Sequence, residues 1–346
     1  MSQVKMELLK ANHRLNIPLP KKLILIRALP GLGDFLCWTP ALRAIRTALP
    51  EVQIIWLGLR ESAALMQRFS DYLDEWLEFP GFPGIPEVPL SPMQTLNFLQ
   101  QHQLEFDLAL QMHGSGAQIN NFVMLLGAKQ AAGFFPAQQF CPDPDLFLSY
   151  PEQEPEVWRH LQLLEFLGIP LQGDQLDFPL GQSDWQKFEK VATSEQLHSC
   201  KYICIHPGAS TNMRQWSRQC FAEVADRLAA QGWQIALTGT TAEIELTTAI
   251  AAMMCFPAVN LAGKTDLGTL AALLKQAKLL ICNDTGVSHL AAALQVNSVV
   301  IFTASDPDRW APLDRQRHRV VAGRDLQLEA VLAEAHHLLQ QELTYV

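Results

Sequence analysis

Apolar residues in this chain fall into short unbroken runs, separated by longer stretches with helical spacing. Leu23-Ile24-Leu25-Ile26 is the first run, and its continuity and β-branched content predict a strand buried on both faces. Gly31 and Gly33 follow as a tight loop, and Asp34 opens an apolar-periodic stretch through Ala48 that predicts a helix ended by Pro50. Val52 to Leu57, Asp107 to Met112 and Gln130 to Phe134 predict further strands with helical patterns between them. Phe79 to Pro86 alternates prolines and glycines with aromatics and predicts a loop, functional or simply tucked against the body.

The pattern then breaks and restarts. Gly168 to Ser183 is rich in Pro, Gly and Asp and predicts an interdomain linker. Beyond it, helices are predicted over 185–197, 221–230, 241–254, 267–276 and 287–294. The strands between them are Tyr202 to His206, Trp233 to Leu237, Val259 to Gly263 and Leu279 to Cys282, with Ser298 to Phe302 as the final one. Strands alternating with helices predict α/β architecture, with parallel sheets covered on both faces. The expected organisation is two Rossmann-like domains, 1–175 and 176–346. An amphipathic helix within 325–342 is a candidate to pack back on the first domain.

Composition narrows the functional classes. Hydrophobic residues make up 49% of the 346 and charged residues 18%, which excludes a disordered chain. The 35 acidic and 26 basic residues leave a net charge of −9, against a global attraction to nucleic acid. Seven cysteines with no CxxC pair predict reduced, buried thiols, with Cys200 and Cys204 on one strand face. No run approaches the roughly 18 apolar residues of a membrane span, and Met1 to Lys22 lacks the apolar core of a signal peptide. A cytoplasmic location is expected, with room for a peripheral contact at the inner membrane surface.

The chemistry concentrates at strand-to-loop junctions, where free N–H groups and helix dipoles favour phosphate. Gly31 and Gly33, Gly208, Gly239, Gly263 and Gly286 all stand at such junctions. Leu36 occupies the third glycine position of a dinucleotide fingerprint, and the second strand ends at Gly58 rather than at an acid, so a nucleotide site of another kind is expected. Asp34 is either a helix cap or a general base for an incoming hydroxyl. The stretch Asn283-Asp284-Thr285-Gly286-Val287-Ser288-His289 offers capping groups, a close backbone approach and an imidazole one turn inside a helix. His113, with Gly114 and Gly116 after the strand 107–112, is an acceptor-side candidate or a plain turn. No His, Cys or Asp cluster suggests a metal, and no cofactor is expected.

Asp284 to Ala291, reading Asp-Thr-Gly-x-x-His-Leu-Ala, resembles the signature of glycosyltransferase family 9, the heptosyltransferases of lipopolysaccharide core assembly. Leu23 to Leu42, His206 to Ser210 with Trp216, Asn260 to Thr265 and Asp306-Pro307 resemble further segments of that family. The resemblance implies a GT-B fold with two Rossmann-like domains facing a central cleft, the first binding acceptor and the second a nucleotide-sugar donor. It implies an inverting, metal-independent transfer, of heptose from ADP-heptose for example, to a lipopolysaccharide or other surface glycan, with Asp34 as base and Gly33 beside it on the acceptor side. Ser210 and Thr211 then contact donor phosphates, with Gly239 at the next junction. Glu243 binds the ribose, Lys264 complements donor charge or is a solvated loop lysine, and Asp284, Thr285, Gly286 and His289 form the donor loop. Two departures stand out: Arg214 where the family has Lys, and Phe35-Leu36-Cys37-Trp38 where it has small or aliphatic residues. The alternatives are a sugar-nucleotide epimerase on the same fold and a non-catalytic sugar-nucleotide-binding paralogue.

Overall fold

The computed structural model describes residues 14–15, 20–323 and 326–341; positions 325 and 342 of the expected terminal helix and most of the first 22 residues lie outside them. The chain divides into two compact units between Asp174 and Gln175.

The first unit is built on β1 (Lys22–Ile26), β2 (Gln53–Gly58), β3 (Glu75–Glu78), β4 (Leu108–Gln111), β5 (Gln130–Phe135) and β6 (Phe147–Ser149). Its helices are α1 (Leu32–Leu36), α2 (Thr39–Ala48), α3 (Pro92–His102), α4 (Ile119–Leu125) and α5 (Glu156–Leu167). All pairings are parallel and the strand order is β3-β2-β1-β4-β5-β6. Sequence order reverses between β1 and β4, so the loops after these strands flank the crevice where doubly wound sheets bind ligands. Leu23 to Ile26 are buried on both faces, as the unbroken apolar run requires.

The second unit repeats the plan. After α6 (Gln182–Ser194) come β7 (Tyr202–His206), α7 (Arg218–Ala229), β8 (Gln234–Leu237), α8 (Ile244–Met253), β9 (Val259–Asn260) and α9 (Leu267–Gln276). They are followed by β10 (Leu279–Asn283), α10 (Gly286–Ala293), β11 (Ser298–Phe302), α11 (Pro307–Trp310), β12 (His318–Ala322) and α12 (Leu328–Gln341). The order β12-β11-β10-β7-β8-β9 puts its switch point between β7 and β10. α12 buries Val331, Leu332, Ala335, Leu338 and Leu339 in the core of this second unit, against Val299, Ile301 and Val224.

The structure corrects several expectations. The stretch 34–48 is two helices, because Pro40 lacks an N–H and is tolerated only in the first turn of a new one, α2. Ser298 to Phe302 is not the last strand, since β12 follows it. β3 and β6 also went unpredicted, and all three are sheet edges. Cys200 precedes β7, exposed and with φ 59°, so it shares no strand face with Cys204. Cys37, Cys204 and Cys282 are buried thiols, whereas Cys200 and Cys255 are exposed. The Pro-Gly loop packs against the body: Phe79 and Phe82 meet the ring of Phe122 edge-on, and Thr95 Oγ1 donates to Gly81 O at 2.8 Å. Among the described residues no helix is long and apolar enough to cross a membrane.

Candidate functional site

In the first unit the loop after β1 carries the sequence-predicted carboxylate. Gly31 takes φ 103°, a conformation that L side chains rarely adopt, and a Cβ there would stand 3.0 Å from Asp34 Oδ2. This turn starts α1 at Leu32, which places Gly33 buried inside the helix and Asp34 in its first turn, rather than at its cap. The Asp34 side chain is 27% exposed. Beneath it lies a residue the sequence reasoning missed. Arg27, 2% exposed, donates from Nη2 to Asp34 O at 2.9 Å and lies 3.8 Å from Asp34 Oδ1, while its Nη1 donates to Met112 O at 2.8 Å. The available signal was a cation immediately after a four-residue apolar run.

His113, on the loop after β4, is buried and accepts from Ala28 N at 3.3 Å through Nδ1. Burial pushes its pKa down to about 4, helped by the charge of Arg27, so the ring is neutral at pH 7. The sheet register that pairs Ile26 with Gln111 thus brings His113, Arg27 and the Asp34 loop together. Phe35, Leu36, Cys37 and Trp38 are all buried, and the Phe35 ring packs on Phe69, Trp56 and Trp38 at centroid distances of 4.7 to 5.9 Å. This run is therefore core packing of the first unit.

In the second unit the loops after β7 and β10 meet at the switch point. Asn283, fully buried at the end of β10, donates to Pro207 O at 2.7 Å and accepts from Trp216 N at 3.0 Å, so it pins both ends of the 207–216 loop. Between these pins Ser210 and Thr211 are exposed, and a single 3-10 turn carries Arg214. Arg214 Nη1 lies 3.7 Å from Asp284 Oδ2, and Asp284 also accepts from Ser305 Oγ. Thr285 is the N-cap of α10 yet makes no capping hydrogen bond with its side chain, and Gly286 is the first residue of that helix. His289, one turn inside, is buried and meets the Trp310 ring edge-on at 6.2 Å, at the end of the short helix that Asp306 caps.

Glu243 follows β8 and caps its own turn, with Oε2 accepting from Thr240 N at 2.7 Å and Thr240 Oγ1 at 2.9 Å. Its other oxygen lies over Gly208, where a Cβ would come within 1.7 Å of it, so only glycine permits this approach. Gly239 stands beside the same side chain. His206, buried at the end of β7, is 3.0 Å from Thr238 Oγ1, and desolvation lowers its pKa against the opposing charge of Glu243. Ser210, Thr211, Arg214, Glu243, Asp284, Thr285, Gly286 and His289 all sit at the C-terminal ends of β7, β8 and β10 or on the helix that follows. Lys264 turns to another partner: its ammonium is 2.7 Å from Glu195 Oε1, just past the end of α6.

Comparison with known proteins follows this geometry. The profile described as glycosyltransferase family 9 (heptosyltransferase) matches residues 99–334. Lipopolysaccharide heptosyltransferase 3 of Escherichia coli K12 is 31% identical over 159 residues, 45% of this chain and 46% of that protein. The chain spans about half the length of the curated relatives it matches. Among solved structures, a glycosyl transferase family 9 protein from Veillonella parvula superposes with TM-score 0.79 at 19% identity, covering 94% of this chain and 99% of that one. The ADP-heptose lps heptosyltransferase II of E. coli superposes with TM-score 0.70 at 22% identity, covering 93% and 99%. These superpositions establish the α/β, GT-B fold class. With the profile matched across well over half its length, the chain belongs to glycosyltransferase family 9, the heptosyltransferase family.

Proposed function

We propose that this protein transfers heptose from ADP-heptose to a hydroxyl of a lipopolysaccharide-type acceptor, with inversion at the anomeric carbon and without a metal. Family membership supports the class of reaction, and the E. coli structure named for ADP-heptose supports the donor. The observation that carries the mechanism is Asp34. It is a partly exposed carboxylate in the first turn of α1, at the switch point of the first sheet, beside the buried guanidinium of Arg27.

Asp34 takes the proton of the acceptor hydroxyl as its oxygen bonds to the anomeric carbon. The bond from that carbon to the diphosphate breaks, and its electron pair leaves on the diphosphate oxygen. Arg214 and the N-terminal turn of α10, capped by Thr285 without a side-chain bond, stabilise that growing charge. Ser210 and Thr211 bind donor phosphates and Glu243 the ribose, whereas the pairing with Glu195 favours a structural role for Lys264. Gly33 and His113 shape the acceptor side. The acceptor is a glycolipid, so we place the protein in the cytoplasm with a peripheral contact at the inner membrane surface.

The test is release of ADP from ADP-heptose, dependent on a heptose-deficient lipopolysaccharide core, with and without EDTA. Transfer that needs the acceptor and survives EDTA is expected. Isomerised donor, or binding without turnover, would sink the proposal.

A further inference from the structure

We propose that Arg27 and Glu156 form a buried positioning pair for Asp34, which sets both the geometry and the proton affinity of that carboxylate. The inference rests on Asp34 being the base, as proposed above.

Arg27 joins four segments through one side chain. It leaves the end of β1, grips Met112 O after β4, reaches Asp34 O and Oδ1 in α1, and lies 3.4 Å from Glu156 Oε1 at the start of α5. One nitrogen, Nη2, serves Asp34 and Glu156 together. Glu156, 3% exposed, places its second oxygen 3.4 Å from Arg159 Nη1. Arg159 is anchored in turn by Tyr150 Oη at 2.7 Å and by the carbonyls of Glu152 at 2.7 Å and Glu154 at 2.9 Å.

Two buried histidines also adjoin the cluster. His160, 3.5 Å from Glu156 Oε1, and His113 are each lowered to about 4, first by burial and then by the charge of Arg27. Two guanidiniums therefore face two carboxylates, of which only Asp34 reaches solvent. A buried ion cluster is a poor way to gain stability, since apolar packing commonly serves as well. Here it fixes one carboxylate at both its backbone and its side chain. Glu156 also competes for the guanidinium, so the attraction of Arg27 is divided between two carboxylates.

The two partners therefore act with opposite sign. In Arg27→Gln the stabilising charge is lost, and Asp34 should hold its proton to higher pH. In Glu156→Gln the guanidinium turns wholly to Asp34, and its proton should be lost at lower pH. Arg27→Lys keeps the charge but cannot hold Met112 O and Asp34 together. Its titration should stay near wild type while kcat falls about tenfold or more and KM for ADP-heptose holds.

The experiment titrates the Asp34 carboxyl by carbon NMR in the full chain, the resonance being assigned by its loss in Asp34→Asn. The acid limb of kcat is followed in parallel with ADP-heptose and heptose-deficient lipopolysaccharide. Opposite shifts in Glu156→Gln and Arg27→Gln support the pair. If Arg27→Gln does not fold, the lowered midpoint in Glu156→Gln and the kcat loss in Arg27→Lys carry the test. Unmoved midpoints, or wild-type kcat in Arg27→Lys, overturn it while leaving Asp34 as base. Full turnover by Asp34→Asn removes the base assignment itself, and the positioning role with it.

Discussion

Arg214 Nη1 stands 3.7 Å from Asp284 Oδ2, so the loop after β7 and the loop after β10 are tied by an ion pair whose acid is 96% buried and whose base is a third exposed. The pair holds a cation at the switch point, beside a helix N-terminus, with part of its fork still open to a ligand. Arginine at this position keeps the charge of the lysine usual in the family and adds a planar set of donors.

Removal of that cation should be felt by the donor. Arg214→Ala is expected to weaken ADP binding about 10- to 100-fold, the usual range for a charge-assisted hydrogen bond. Arg214→Lys should recover most of the loss. Calorimetric titration of ADP into the three proteins decides, and equal affinities would take Arg214 out of the site.

Asp34→Asn keeps the size of the side chain but cannot accept a proton. Transfer should fall by about 10²–10⁴, while ADP, assigned to the second unit by the proposed function, should bind as in wild type. Steady-state rates and the same titration measure both halves of this expectation.

Gly208→Ala tests the close approach of Glu243. The new methyl would displace a carboxylate held by Thr240, with loss of about 0.5–1.5 kcal/mol of stability and weaker ADP binding. Adding Glu243→Ala should remove the clash, so urea unfolding of the double variant should show less than the sum of the single costs.

Acid should destabilise the fold through its buried histidines. His113, His160 and His318 are each lowered to about 4, in every case chiefly by burial. Below the ordinary histidine value of about 6.5, the unfolded chain takes up protons that the folded chain refuses. Stability is thus fully present above about pH 6.5 and is lost progressively down to about pH 4, at about 1.4 kcal/mol per pH unit for each histidine. His318 accepts or donates at 2.8 Å with Ser298 Oγ across the β11–β12 pair. Urea unfolding between pH 7.5 and 5 should show a shallower slope in His318→Gln than in wild type.

What the sequence by itself determined is the local grammar. Leu23 to Ile26, Tyr202 to Ile205 and Val299 to Phe302 are unbroken apolar runs, which only a strand covered on both faces can bury. The helix over 267–276 follows from its apolar spacing, and the structure adds Asp266 as its N-cap. The glycine junctions and the Asp284 to Ala291 signature marked the ends of the right strands. The tertiary structure alone decided the rest. β3, β6 and β12 carry weak patterns because an edge strand is covered less completely and tolerates Glu75, Ser149 or Arg319. The order of strands, and with it the meeting of the 207–216 loop with Asp284, depends on pairings between residues some 75 positions apart. Arg27 and Glu156 are separated by 129 positions, and no local pattern announces their contact. Periodicity reports which face of a segment is buried. Which charges share that buried space is decided only when the sheets close over them.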